Sequence, residues 1–151
     1  MTETLSLEQR VALLEDRAAI EALTTRYAHA VNHGYGAKTL DIAAIGELFA
    51  PDARWHSDGI GTTVGADAIA AALPAATAHV EFAMHAFLNP TITLDGDTAT
   101  GSWLFWIASV IAADPRAVYM SADLTYTRTS HGWRIQTIDI HPGIRLPAPT
   151  R

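Results

Sequence analysis

The sequence predicts an α+β fold in which N-terminal helices pack into a cone-shaped, curved antiparallel sheet. Three observations carry this expectation. Apolar residues recur at helical spacing along the first fifty positions. From His79 onward the pattern changes to a period of two, broken by short turns. The 151 residues are the length of one domain, enough for a single core without staples. Helices first and hairpin-linked strands after place the helices on one face of the sheet. A helix laid into a curved sheet leaves a cone with an open wide end, where ligand pockets form.

Ser6 followed by Gln9 resembles a capping box that opens the first helix. Val11, Leu14, Ala18, Leu23, Tyr27 and Val31 give it an apolar face, and Gly34 and Gly36 stop it. A second helix is expected from Thr39, as N-cap, to Phe49, ended by Pro51-Asp52. Ala53 to Ser57 reads as a short strand, and the Gly59-Ile60-Gly61 turn leads into Thr62–Val64. An Ala-rich third helix follows from Ala66 to about Ala76. Val80 to Leu94 is strand-rich, with Pro90 at a bulge or edge. Asp95-Gly96-Asp97 is a hairpin turn before a long strand from Thr98 to Ala112. Asp114-Pro115 starts another turn, Val118 to Thr129 is a strand, and Ser130-His131-Gly132 turns into a last strand, Trp133 to His141. The remaining ten residues hold three prolines and read as an irregular extension.

Composition excludes several function classes. Ten basic residues against sixteen acids give a formal net charge of −6 with no basic cluster, which argues against nucleic acid as partner. There is no Cys, so disulfides, thiolate nucleophiles and Cys-based zinc sites are excluded, and a cytoplasmic location fits. The N-terminus lacks a basic n-region and an apolar h-region, and no apolar run is long enough to span a bilayer. His29 and His33 have i, i+4 spacing, but no third metal ligand is evident. Gly59, Gly61 and Gly65 miss the dinucleotide spacing, and there is no G-x-S-x-G. Neither a cofactor nor a metal is expected.

Five segments in order, DRAAIEALTTRYAHAVN, ELFAPDARW, GTTVGADAI, MHAFLNPTITLDGDTATG and WRIQTIDI, make residues 8 to 141 resemble a SnoaL-like domain. This family lies in the nuclear-transport-factor-2-like (cystatin-like) superfamily of cone-shaped α+β barrels. The resemblance is nearest to the scytalone dehydratase, bile acid dehydratase and hexachlorocyclohexane dehydrochlorinase type. It implies a His on the first long strand paired with an Asp at the end of the first helix, with a Tyr or Lys assisting. Those positions fall on His85, Asn32 and Tyr27. Asn in place of Asp can orient an imidazole but gives up stabilisation of its charged form.

Each candidate has an ordinary structural reading beside the functional one. His85 lies in the apolar segment FAMHAFL, as a satisfied structural His or as a general base. Tyr27 is a core tyrosine or an acid, and Asn32 a helix C-cap or an orienting group. Asp58 sits in the SDGIG turn, near where the resemblance to ketosteroid isomerase would put a base. Asp123 sits mid-strand, where Asp is disfavoured, so it faces solvent or the pocket. Trp55, Phe87, Trp106 and Met120 are expected to line an apolar pocket for a hydrophobic cyclic or aromatic molecule.

The function expected is a cofactor-independent lyase or isomerase, of dehydratase or cyclase type. The alternatives are a non-catalytic small-molecule binder and an auxiliary subunit of a larger enzyme. Finally, Trp103, Phe105 and Ile107 alternate with Leu104, Trp106, Ala108 and Val110, so both faces of this strand are apolar. One small cone covers only its inner face, which predicts a homodimer or higher oligomer.

Overall fold

The computed structural model describes residues 4–147. Helix α1 (Leu7–Val31) is followed by α2 (Ile42–Leu48), strands β1 (Phe49–Ser57) and β2 (Gly61–Val64), and helix α3 (Ala66–Thr77). Four long strands complete the chain: β3 (Val80–Asp95), β4 (Thr98–Ile111), β5 (Asp114–Thr129) and β6 (Gly132–Leu146). They form one six-stranded sheet in the order β2-β1-β6-β5-β4-β3. The sheet curves round the helices without closing, because β2 and β3 each have a partner on one side only. The expected antiparallel sheet is in fact mixed: β1 returns beside the last strand and runs parallel to β6.

Local chemistry explains the start of α1 and the break within β3. The Ser6 side chain accepts from the Gln9 backbone N–H, and the Gln9 side chain accepts from the Ser6 N–H, so the capping box is present. Pro90 lies in a register break between Leu88 and Thr91 of the edge strand β3, where a missing N–H does least harm.

Four boundaries differ from those expected. Helix α2 starts later than Thr39, because Asp41 supplies the cap by accepting from the Ala44 N–H at 3.0 Å. Pro51 does not follow a helix but lies within β1, where pairing with β6 breaks register between Phe49 and Arg54. The third hairpin turns at Ala112 and Ala113, both at positive φ, so Asp114 and Pro115 already belong to β5. The segment after His141 is not irregular up to Leu146. It extends β6 and pairs Ile144 with Tyr119 and Leu146 with Ala117, after a bulge at Tyr119/Met120.

The core forms where the second half of α1 lies in the sheet. Ile20, Leu23, Tyr27 and Val31 are buried together with Phe105, Leu124, Tyr126, Ile135 and Ile138. A polar link crosses this core: the Tyr126 hydroxyl pairs with Thr24 Oγ1 at 2.7 Å and accepts from Trp103 Nε1–H at 3.1 Å. Val11 and Leu14, expected on the buried face of α1, are exposed instead. The helix passes the β5–β6 turn there. Arg128 grips Asp16 with two hydrogen bonds, donates to Asp97, and lies 4.5 Å over the Trp133 ring. Among the described residues, no helix is long and apolar enough to cross a membrane.

Candidate functional site

The strand register builds the site. Phe87, Phe105 and Met120 are paired in one row of the inner face, and His85, Ile107 and Val118 form the next row. Phe87 stacks on Phe105 at 4.3 Å between centroids, and the His85 ring lies parallel to Phe105 at 6.0 Å. Tyr27 reaches the same cluster from α1, 6.0 Å from Phe87 and edge-on to Phe49. Its hydroxyl accepts from Trp55 Nε1–H of β1 at 3.2 Å. His85, Phe87, Trp55 and Met120 are half-buried, so they stand at the open side of the core rather than within it.

Asn32 is the residue that organises His85. It follows the last turn of α1 and is only 4% exposed. Its Oδ1 accepts from the His85 backbone N–H at 2.7 Å and lies 2.9 Å from His85 Nδ1. A backbone N–H can only donate, so the amide atom facing it is the oxygen. An amide oxygen can only accept, so Nδ1 carries the proton in the neutral ring. The lone pair is therefore on Nε2, the nitrogen turned away from Asn32. Asn32 does more than cap a helix: two elements 53 residues apart are joined through one oxygen atom.

The backbone holds this junction. His33 and Ala83 form an antiparallel bridge, with N–H···O bonds of 3.1 and 3.0 Å. Gly34 makes the approach possible. It sits at φ +88°, and a Cβ there would lie 2.2 Å from the Glu81 carbonyl oxygen. Gly34→Ala should therefore destabilise the protein by about 2–4 kcal/mol in urea denaturation, since both strain and clash oppose it. A change below about 0.5 kcal/mol, the range of ordinary surface substitutions, would contradict this packing.

Electrostatics follow from burial. Loss of solvent pushes the His85 imidazole down from 6.5 to about 4, and nearby His33 opposes the charge further. The ring is therefore neutral at physiological pH. Burial pushes the Tyr27 phenol up to about 12, against the smaller effect of the Trp55 indole, so it keeps its proton. The hydroxyl accepts from Trp55 and has its own hydrogen left to donate.

Three expected site residues lie elsewhere. Trp106 is 43% exposed on the outer face, because its neighbours Phe105 and Ile107 take the inner positions. Asp123 alternates with buried Ala122 and Leu124, so it too points outward, where it accepts from Ser102 Oγ–H at 2.6 Å. Asp58 is exposed at the β1–β2 turn. His141 joins them, with Nε2 3.1 Å from Asp123 and Nδ1 3.6 Å from Asp58, while His56 faces Asp58 at 3.3 Å. Among the described residues no group of three or more candidate ligands is arranged to hold a metal ion. A separate open groove of about 570 Å³ runs beside Lys38, Leu40, Pro74 and Val80. His85, Tyr27 and Trp55 do not line it. Sequence reasoning missed Tyr35, whose hydroxyl accepts from Asn32 Nδ2–H at 3.0 Å. It stands between two glycines in a loop, outside any periodic pattern.

A model of the SnoaL-like domain family matches residues 12–139. The chain belongs to this family. No curated protein matches the chain. Solved structures do. One, described as a "putative aromatic ring hydroxylase" from Novosphingobium aromaticivorans, has 28% identity and a TM-score of 0.75, over 87% of this chain and 91% of that one. An NTF2-like protein with a cystatin-like fold from the same species has 27% identity and a TM-score of 0.77, over 99% and 94%. Hexachlorocyclohexane dehydrochlorinase LinA-type3 of Novosphingobium barchaimii is 18% identical with a TM-score of 0.76, over 94% and 96%. At that identity the likeness is one of fold alone.

Proposed function

We propose that this SnoaL-like chain is a cofactor-independent lyase or isomerase that acts on a hydrophobic cyclic or aromatic small molecule. One observation carries the reading: His85 is held as a neutral ring with its proton on Nδ1, so Nε2 is a free base beside an aromatic wall. In the proposed step Nε2 takes a proton from a carbon next to a carbonyl, or from the carbon adjoining the one that bears a leaving group. Tyr27 donates its O–H to the oxygen or leaving group on which negative charge develops. In an elimination the C–H electron pair becomes the new double bond as the leaving group departs with its own pair; in a double-bond shift the imidazolium returns the proton to a more distant carbon, and neither needs an external oxidant or reductant. Phe87, Trp55 and Met120 supply apolar contact.

The test is a panel of cyclic hydroxyketones and halogenated cycloalkanes incubated in D2O. Deuterium exchange or release of water or halide is expected, and no chemistry with any member would oppose the reading. A second reading is favoured by one observation. Asn32 offers His85 no negative charge, which suits a protein that only binds its ligand. A binder would hold panel members without turnover.

A homodimer completes the proposal. On the outer face Ala86, Trp106, Tyr119 and Ile144 are paired in one row, and Met84, Ala108, Ala117 and Leu146 in the next. Trp106 and Tyr119 are edge-on at 5.2 Å, and both stay exposed. A second copy about a two-fold axis is the occupant we assign to this apolar field. Light scattering at micromolar concentration should give twice the 16.2 kDa chain mass, and Trp106→Glu should halve it. A wild-type mass near that of one chain contradicts the assignment.

A further inference from the structure

We infer that Tyr35 is a positioning residue for His85, acting through Asn32; the inference rests on the reading of His85 as the base. The Asn32 side chain is buried and has two ends to satisfy. The oxygen end holds the His85 backbone N–H and Nδ1–H. The nitrogen end donates to Tyr35 Oη at 3.0 Å. Without that acceptor, a buried N–H is left without a partner, and the amide turns about its χ2 axis to find one. Of the two hydrogen bonds at Oδ1, the one to the mobile imidazole yields first. The His85 ring then loses the contact that places its proton on Nδ1.

The loop is built to hold the Tyr35 hydroxyl there. Gly34, Gly36 and Ala37 all have positive φ, at 88°, 53° and 57°. Non-glycine Ala37 in that region is uncommon and needs support. The Lys38 N–H donates to the Tyr35 carbonyl at 2.8 Å, and the Gly34 N–H donates to the Lys38 carbonyl at 3.1 Å. The Tyr35 ring packs on Phe82 of β3 with centroids 5.5 Å apart. Tyr35 is thus tied to the strand that carries His85 by its ring and to Asn32 by its hydroxyl. A phenol can accept or donate, so the same residue serves a neutral amide here and would donate to a carboxylate at position 32.

The experiment uses the full chain, uniformly labelled with 15N, and reads the tautomer of the His85 side chain by long-range 1H–15N correlation. The wild type should show one tautomer, protonated at Nδ1. Tyr35→Phe keeps the ring on Phe82 and removes only the hydroxyl. It should lose the single-tautomer signature and show both forms in exchange, with the backbone spectrum otherwise preserved. A folded Tyr35→Phe with His85 still wholly in the Nδ1–H form overturns the inference. Should Tyr35→Phe not fold, the wild type decides: Asn32 Nδ2 protons must show an Overhauser effect to the Tyr35 ring, and its absence overturns the inference too. Neither readout depends on turnover, so a failure here is distinct from a failure of the proposed activity.

Discussion

His85→Ala should lower turnover by about 10²–10⁴-fold, the usual cost of removing a general base. The fold should survive. The His85 backbone N–H keeps its bond to Asn32, and the ring stands at the half-buried edge of the core. Tyr27→Phe should cost less, since it removes one donor and leaves the base in place. The paired measurements are steady-state turnover on the panel member that reacts and far-ultraviolet circular dichroism. Unchanged turnover in a folded His85→Ala would remove His85 from the chemistry. Asp58 and Asp123 could not inherit the role at this site, because both lie on or near the outer face, in contact with His141.

Acid should destabilise the protein through the same residue. In the folded state His85 is pushed down to about 4, whereas in an unfolded chain it titrates near 6.5. A depressed histidine favours folding above the unfolded value, where both states are neutral. As pH falls from 6.5 towards 4, the unfolded chain takes up a proton that the folded one refuses. Stability then drops by up to about 3 kcal/mol from this group. The proposed base stays unprotonated down to about pH 4, so His85 itself should not lower turnover between pH 7 and 5. Urea denaturation from pH 8 to 4 of wild type and His85→Gln separates this contribution. A parallel loss in the two proteins would contradict it.

Much of this architecture was legible in the sequence because patterns of period 3.6 and 2 record which face is buried. The capping box at Ser6, the bulge at Pro90 and the two apolar faces of β4 are local in origin, and the structure has each of them. What local pattern cannot carry is partnership between distant segments. Nothing near β1 signals that it will lie parallel to β6. The proline-containing segment 142–146 reads as irregular, yet pairing with Tyr119 and Ala117 makes it strand. Val11 and Leu14 follow the helical period, but the sheet ends before it can cover them.

The site divides the same way. The resemblance placed His85, Tyr27 and Asn32, and the first and last are in direct contact. On a helical wheel Tyr27 and Asn32 do not share a face. Asn32 reaches His85 because α1 ends there and its side chain turns to β3, while Tyr27 meets Phe87 and Trp55 from the helix itself. Trp106 has the chemistry of a pocket residue, but alternation along β4 puts it outside. A mid-strand Asp suits either face by sequence, and alternation along β5 puts Asp123 outside. Tyr35 leaves no mark in the sequence, since its partner is an amide rather than an apolar stripe.

The proposed chemistry needs His85 to be a neutral base with its proton on Nδ1. An NMR titration of the His85 side chain in the folded protein tests it directly. The expected result is a single Nδ1–H form at neutral pH and a protonation midpoint of about 4. A ring protonated on Nε2, or a midpoint near 6.5, would contradict it.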